Sequence, residues 1–284
     1  MSKNLFNLKN DYIFKRTFGY SGDEDVTQIF LRDILKTNIS DISLNNNTIT
    51  EKELLDDKVG ILDIKAVINN RVQCDIEMQV VKQCDIEKRI VFYWSKMFSN
   101  QLKSGQTYET LNKTIAILIA DFELDTLQNI KKYATKWNLR EEEYHSVILT
   151  DVLEIYIIEL PKFSKYLHMH KSQNLDLWVN FIKNFEVNVM SDNNDNIENI
   201  SDSDTELNED VFVIHDSDDD TIKETKKAIQ KAKEKLEELS QDEHERYLAD
   251  LREKYILDQN SIERYGYLRG KKEGQALGEA IRTC

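Results

Sequence analysis

The stretch GILDIKAVINNRVQCDIEMQV, from Gly60 to Val80, alternates strictly between apolar and polar residues in its second half, which follows Asn69-Asn70-Arg71. Successive side chains of a strand point to opposite faces. A hairpin built from this stretch therefore carries Leu62, Ile64, Ala66, Ile68, Val72, Cys74, Ile76, Met78 and Val80 on one side, and Asp63, Lys65, Gln73, Asp75, Glu77 and Gln79 on the other. A slip of one residue would turn the apolar set to solvent, so the register is fixed with Ile68 opposite Val72. Asp63 then falls opposite Glu77, Lys65 opposite Asp75 and Ile61 opposite Gln79. Like charges directly opposed across strands are destabilising, so three acids on one side need a reason. A hard divalent cation supplies one, because Mg²⁺ takes oxygen ligands, accepts a few carboxylates and keeps its other positions for water and phosphate oxygens. Lys65 and Asp75 read as an ordinary cross-strand ion pair.

Outward from the hairpin, apolar residues at helical spacing predict helices over Asp11–Gly19 and Glu24–Lys36. Strands are expected at Asp41–Leu44, Val59–Ile68 and Val72–Val81, then a helix from Asp85 to Ser104 with Gly105 as its stop. Lys113–Phe122 is a nearly unbroken apolar run of strand length and reads as a central buried strand. Tyr144–Thr150 and Glu154–Glu159 read as further strands, ended by Pro161, and Leu175–Phe185 as an amphipathic helix. The order β-β-β-α-β-α-β implies an α/β fold with a mixed central sheet flanked by helices. Met190–Asp220 is rich in Asn, Asp and Ser and too poor in apolar residues to offset its ordering entropy; it reads as a disordered linker. Charged helices follow over Ile222–Ser240 and from Asp242 onward, and the last carries Gly266, Gly270, Gly274 and Gly278, which weaken a helix. The division is 1–186 for the main domain, 187–221 for the acidic linker and 222–284 for the C-terminal helices.

The 284 residues and 40% hydrophobic content suffice for a proper core, and no apolar run is long enough for a membrane span. Three scattered cysteines, Cys74, Cys84 and Cys284, make neither a disulfide framework nor a four-ligand zinc site, so a reducing intracellular setting is expected. The net charge of −14 argues against nucleic acid until it is located: thirteen acids with no Lys or Arg lie between Glu186 and Ile222, which leaves the rest of the chain at −1.

Asp63 followed on the next strand by Glu77-x-Gln79 resembles the PD-(D/E)xK nucleases, whose restriction-endonuclease-like core the predicted elements would fit. The chain is more closely similar to the PD-(D/E)xK transposase group that includes the recombination-promoting nucleases (Rpn). The likeness extends through NDYIFKRTFG near the start, ILDIKA and DIEMQ, the helix with Arg89 and Tyr93, QLKSGQTYETLNKTIAILI, AIQKAKEKLEELSQDEHERYLADLREK and the glycine-punctuated tail. It covers nearly everything but the acidic stretch. The resemblance implies a DNA endonuclease with Asp63, Glu77 and Gln79 as catalytic residues and with Mg²⁺, or Mn²⁺ as an alternative, held by Asp63, Glu77 and the main-chain carbonyl of Met78. The third catalytic position is usually Lys; Gln79 carries no charge and takes no proton, but it can orient a water. Lys65 is the alternative source of the missing positive charge.

Arg89 and Tyr93 share a helix face and are candidates to grip a DNA phosphate; the plain readings are a surface ion pair for Arg89 and core packing for Tyr93. Gln101, two turns on, stands likewise. Asp11 and Lys15 either reach the cleft from the first helix, with Lys15 as a DNA contact, or form an i, i+4 ion pair. His168 and His170 have no third ligand nearby, and Val211–Ile214 followed by acids resembles a SUMO-interaction motif but also reads as a sticky spot in a linker. DNA is the expected partner, with a homodimer through the C-terminal helices and no membrane, in the cytoplasm or nucleoid, or the nucleus of a eukaryotic host. Two rivals remain: a catalytically decayed mobile-element relic that only binds DNA or protein, and an interaction scaffold that works through its C-terminal helices.

Overall fold

A computed structural model describes residues 5–20, 22, 24–44, 63–82, 85–166, 173–184 and 220–283. Strands β1 (Ile42–Leu44), β2 (Ile64–Ile68) and β3 (Val72–Gln79) form an antiparallel meander. Strand β4 (Thr114–Ala120) then joins β3 in parallel, and the helix α3 (Ile86–Ser99) makes the crossover that a parallel step requires. Past it, β6 (Leu153–Glu159) runs parallel to β4, and β5 (Ala134–Trp137) closes the far edge antiparallel to β6. The order across the sheet is β1-β2-β3-β4-β6-β5, a mixed sheet with helices on both faces, as the pattern predicted.

All seven residues of β4 are buried, because both faces of the sheet are covered there. On one face, Ile64, Ile76, Ile117, Ile119 and Ile158 pack against α1 (Asp11–Phe18), α2 (Glu24–Leu35), α5 (Gln173–Asn184) and α6 (Asp220–Gln241). On the other, Ala116, Leu118, Ile155 and Ile157 pack against Ile86 and Ile90 of α3. The residues before and after the acidic stretch share one core: Ile222, Ile229, Leu236 and Leu248 lie in the same cluster as Phe14, Phe30 and Trp178. Asp33 on α2 ties this seam. Its Oδ2 accepts from Trp178 Nε1 at 2.8 Å and Thr225 Oγ1 at 2.7 Å, and its Oδ1 accepts from Arg32 Nε at 3.0 Å.

The last helix, α7 (Glu243–Thr283), starts where Asp242 Oδ1 accepts from the amides of His244 and Glu245, which satisfies two of the donors a helix start leaves open. It is continuous through its glycines and, from Glu253 to Gln275, is mostly exposed where described. No helix among the described residues is long and apolar enough to cross a membrane.

Several expectations change. Tyr144–Thr150 is not a strand: Tyr144, Val147, Ile148 and Leu149 are exposed, and only an isolated bridge, Arg140 to Ile148, forms beside it. The edge strand is Ala134–Trp137 instead. Pro161 does not merely end β6; it sits in the first turn of a short helix, α4 (Leu160–Tyr166), where its missing N–H costs nothing. Helix α3 ends at Ser99, and Gly105 takes φ 85° in the turn beyond. The readings of His168–His170, Val211–Ile214, Ile61 and most of the acidic stretch fall outside the described residues.

A buried pair on this core makes stability depend on pH. Tyr133 Oη donates to Asp176 Oδ1, and burial pushes the Asp176 carboxyl up to about 6 although that bond pulls it down. A folded pKa above the ordinary 3.8 means that stability is full below that value and is lost as pH rises through 6. Asp176→Asn keeps an acceptor and removes the charge. It is expected to raise the thermal midpoint at pH 8, by about 1–3 kcal/mol in stability, and to change it little at pH 4. An equal rise at both would reject charge burial as the cause.

Candidate active site

The hairpin has the register that its alternation dictates: Ile64 faces Ile76, Lys65 faces Asp75, Ala66 faces Cys74 and Ile68 faces Val72. Asp63 precedes β2, so Asp63 and Glu77 are the next pair in that register. Ile64, Ala66, Ile68, Cys74, Ile76 and Met78 are buried, while Asp63, Asp75 and Glu77 are half-buried and Lys65 is exposed. Asn69 and Asn70 take φ of 50° and 57°, a conformation that Asn tolerates better than most residues, and so close the turn.

Around these acids the field is uneven. Burial pushes the Asp63 carboxyl up; Lys65, Arg89 and Lys15 oppose this, and Asp11 adds to it. Burial pushes Asp75 well up, the charges of Asp63 and Glu77 push it further, and Lys65 and Lys15 oppose them. Asp75 thus feels both neighbouring acids. Its Oδ1 is buried without a hydrogen bond, so the ion pair expected with Lys65 is not closed at that oxygen. Glu77 Oε1 accepts from Arg89 Nη2 at 2.5 Å, and Arg89 lies over the Tyr93 ring, 5.9 Å from its centroid.

Lys15 is only 4% exposed. Gly19 makes room for it: a Cβ there would meet Lys15 O at 2.8 Å, and Lys15 Cγ and Ile64 Cγ1 each at 3.1 Å. The lysine stem therefore lies beside the first residue of β2, next in the chain to Asp63. Asp11 does not close a helix pair with Lys15; it accepts from Arg252 of α7 at 2.7 Å and 3.0 Å. Two turns earlier on α7, Glu245 accepts from Tyr12 Oη at 2.7 Å and from Arg16 Nη2 at 2.6 Å.

Arg89 pairs with an acid of the site rather than with a surface acid. Tyr93 is half-buried beside a groove rather than in the core. Gln79 lies at the end of β3, with its Nε2 donating to Val81 O at 3.0 Å. The Met78 side chain is buried, and its main chain is level with Ile119 in the β3–β4 ladder. Gln101 is not in the site: it accepts from Asn112 N and donates to Asn112 O and Thr114 Oγ1, which pins the loop after α3 to the start of β4. Sequence reasoning missed Lys96 and Asn100, which line the groove with Tyr93; their spacing of seven and eleven residues from Arg89 was the available signal.

The donor set suits a hard divalent cation. Asp63 and Glu77 offer carboxylate oxygens, burial disfavours the ionised forms of Asp63 and of the neighbouring Asp75, and Asp75 Oδ1 lacks a hydrogen-bond partner. Among the described residues no three His, Cys, Asp or Glu side chains converge tightly enough to cage an ion by themselves.

A family model described as PD-(D/E)XK nuclease family transposase matches residues 8–266. No curated protein and no solved structure matches the chain.

Proposed function

Because the chain belongs to the PD-(D/E)XK nuclease family transposases, we propose that it is a divalent-cation-dependent DNA endonuclease, with Mg²⁺ or Mn²⁺ as the ion. The observation that carries this reading is the gathering of Asp63, Asp75 and Glu77 on one side of the hairpin, amid Lys15, Lys65 and Arg89. Acids set this close are costly without a cation, and the surrounding cations suit phosphate as well as carboxylate.

Asp63, Glu77 and the Met78 carbonyl would hold the ion. When bound, it would polarise the scissile phosphate and acidify a water. The chain's own residues do the rest. Arg89 fixes the Glu77 carboxylate, so that its orientation is set before substrate arrives. Gln79, with its amide nitrogen engaged by Val81, offers Oε1 to accept a hydrogen bond from the attacking water. Lys65 stands exposed at the mouth, where it can meet a phosphate, and Lys15 lies buried beside the acids and balances their charge. Recombination or DNA mobility is the process this activity would serve, in a compartment that holds DNA. Self-association is assigned to α7, on which Leu257, Ile262 and Leu268 are exposed.

The test is plasmid nicking with Mg²⁺, paired with calorimetric titration of Mn²⁺ into the full chain. The parent is expected to nick and to bind the ion, and Asp63→Ala to do neither with its thermal midpoint kept. Equal nicking by both rejects the assignment. A folded parent that neither binds the ion nor nicks would make the chain a relic that serves as a binding module.

A further inference from the structure

On the sheet face opposite the main core, α3 packs on β4 and β6, and among the described residues no apolar side chain of the hairpin joins that cluster. Between the hairpin and α3 runs a groove of about 370 Å³. Its floor carries Asp63, Lys65 and Asp75, and its wall carries Tyr93, Lys96 and Asn100. The wall residues share the helix face of Arg89, and at about 1.5 Å of rise per residue the run from Arg89 to Asn100 spans about 16 Å. Arg89 donates to Glu77 and so marks the end nearest the acids. The groove starts at the acid cluster and leads away past a tyrosine and two exposed lysines.

We infer that this groove receives one unpaired nucleotide strand beside the bond to be cut, with a base against the Tyr93 ring and phosphates met by Lys65 and Lys96. The inference rests on the nuclease reading and adds the form of the substrate. A space of this size is at the small end of ligand pockets and suits a nucleotide, whereas a closed duplex can only lie across its mouth. Every base has a face to stack on an aromatic ring, so this recognition tolerates any sequence. Asn100 adds both a donor and an acceptor for a base edge. The chain's net charge of −14 gives no general pull on nucleic acid, so the attraction has to be local, as these lysines make it.

The test uses the full chain without divalent cation, so that no strand is cut, and reads fluorescence anisotropy. The probes are a short labelled oligothymidylate and the same strand annealed to its complement. The single strand is expected to bind more tightly than the duplex. Tyr93→Ala and Lys96→Glu are each expected to weaken single-strand binding by about tenfold, and Tyr93→Phe to bind like the parent. Lys96 is exposed, so its variant folds whatever becomes of Tyr93→Ala. Preference for the duplex, or single-strand binding untouched by both replacements, overturns the inference. Asp63→Ala, assayed alongside for nicking, separates the two readings. If it loses nicking while the groove variants bind like the parent, the groove fails and the nuclease stands. If it still nicks, the nuclease reading fails whatever the binding shows.

Discussion

Replacing Glu77 by glutamine is expected to lower Mg²⁺-dependent nicking by about 10³-fold or more while the thermal midpoint stays close to that of the parent. Glutamine has the same shape and still offers Oε1 to Arg89, so the contact that holds the side chain survives. What disappears is the negative charge. If Glu77 served only to anchor Arg89, the rate would change little, because glutamine keeps that contact. If it helps to hold a cation, the rate collapses and stability is spared. Asp75→Asn is the companion variant. It removes a charge that Asp63 and Glu77 both act on, but from a residue outside the proposed ligand set, so its effect on rate is expected to be the smaller of the two. Nicking rates across a Mg²⁺ titration, read beside thermal melts, decide the matter. A Glu77→Gln protein that nicks like the parent removes Glu77 from the chemistry.

Asp33→Ala is expected to destabilise the fold by about 3–5 kcal/mol, a large part of the roughly 5–15 kcal/mol that holds a domain together. The side chain of Asp33 is 2% exposed and receives hydrogen bonds from Trp178, Thr225 and Arg32, groups on α5, α6 and α2. Without the carboxylate, the indole N–H is left buried without its acceptor, the Thr225 hydroxyl keeps only Thr221 O, and the guanidinium loses a neighbouring charge. Asp25 provides the control. It lies on the same helix and joins Lys231 of α6 at 2.9 Å, yet its side chain is 63% exposed, so Asp25→Ala is expected to cost no more than about 1 kcal/mol. Chemical denaturation of the two variants measures the contrast. Equal losses would mean that depth of burial does not govern the seam.

The hairpin was legible because a period of two leaves a single register once one side must be dry, and the structure has that register from Ile64–Ile76 to Ile68–Val72. Strand β4 was legible for a related reason: an apolar run too short for a helix has to be buried on both sides. Tyr144–Thr150 was misread because local composition says nothing about whether a neighbouring strand exists, and none pairs along it beyond the single bridge at Ile148. The strand Ala134–Trp137 was missed because four residues at a sheet edge carry almost no pattern. At the site, spacing told which residues share a face but not what lies opposite. Asp11 and Lys15 sit one turn apart, yet Arg252, far along the chain, takes the aspartate. Gln101 stands at helical spacing from Tyr93, yet α3 ends at Ser99 and Gln101, in the loop beyond, reaches the start of β4 rather than the acids. Asp75 looked neutralised by Lys65 in the register, and only its depth shows one oxygen left without a partner.

Helix α1 is eight residues long and works on two fronts, with Lys15 beside the acids and Asp11, Tyr12 and Arg16 fastened to α7. The proposed site is in this sense sewn to a helix more than two hundred residues further along the polypeptide. A shortened version that stops ahead of α6 would not be a minimal enzyme. It would lose the clasp that seats the lysine, and it would bare the hydrophobic side of Phe14, Phe30 and Trp178 to water, so dissecting this molecule requires point changes rather than scissors.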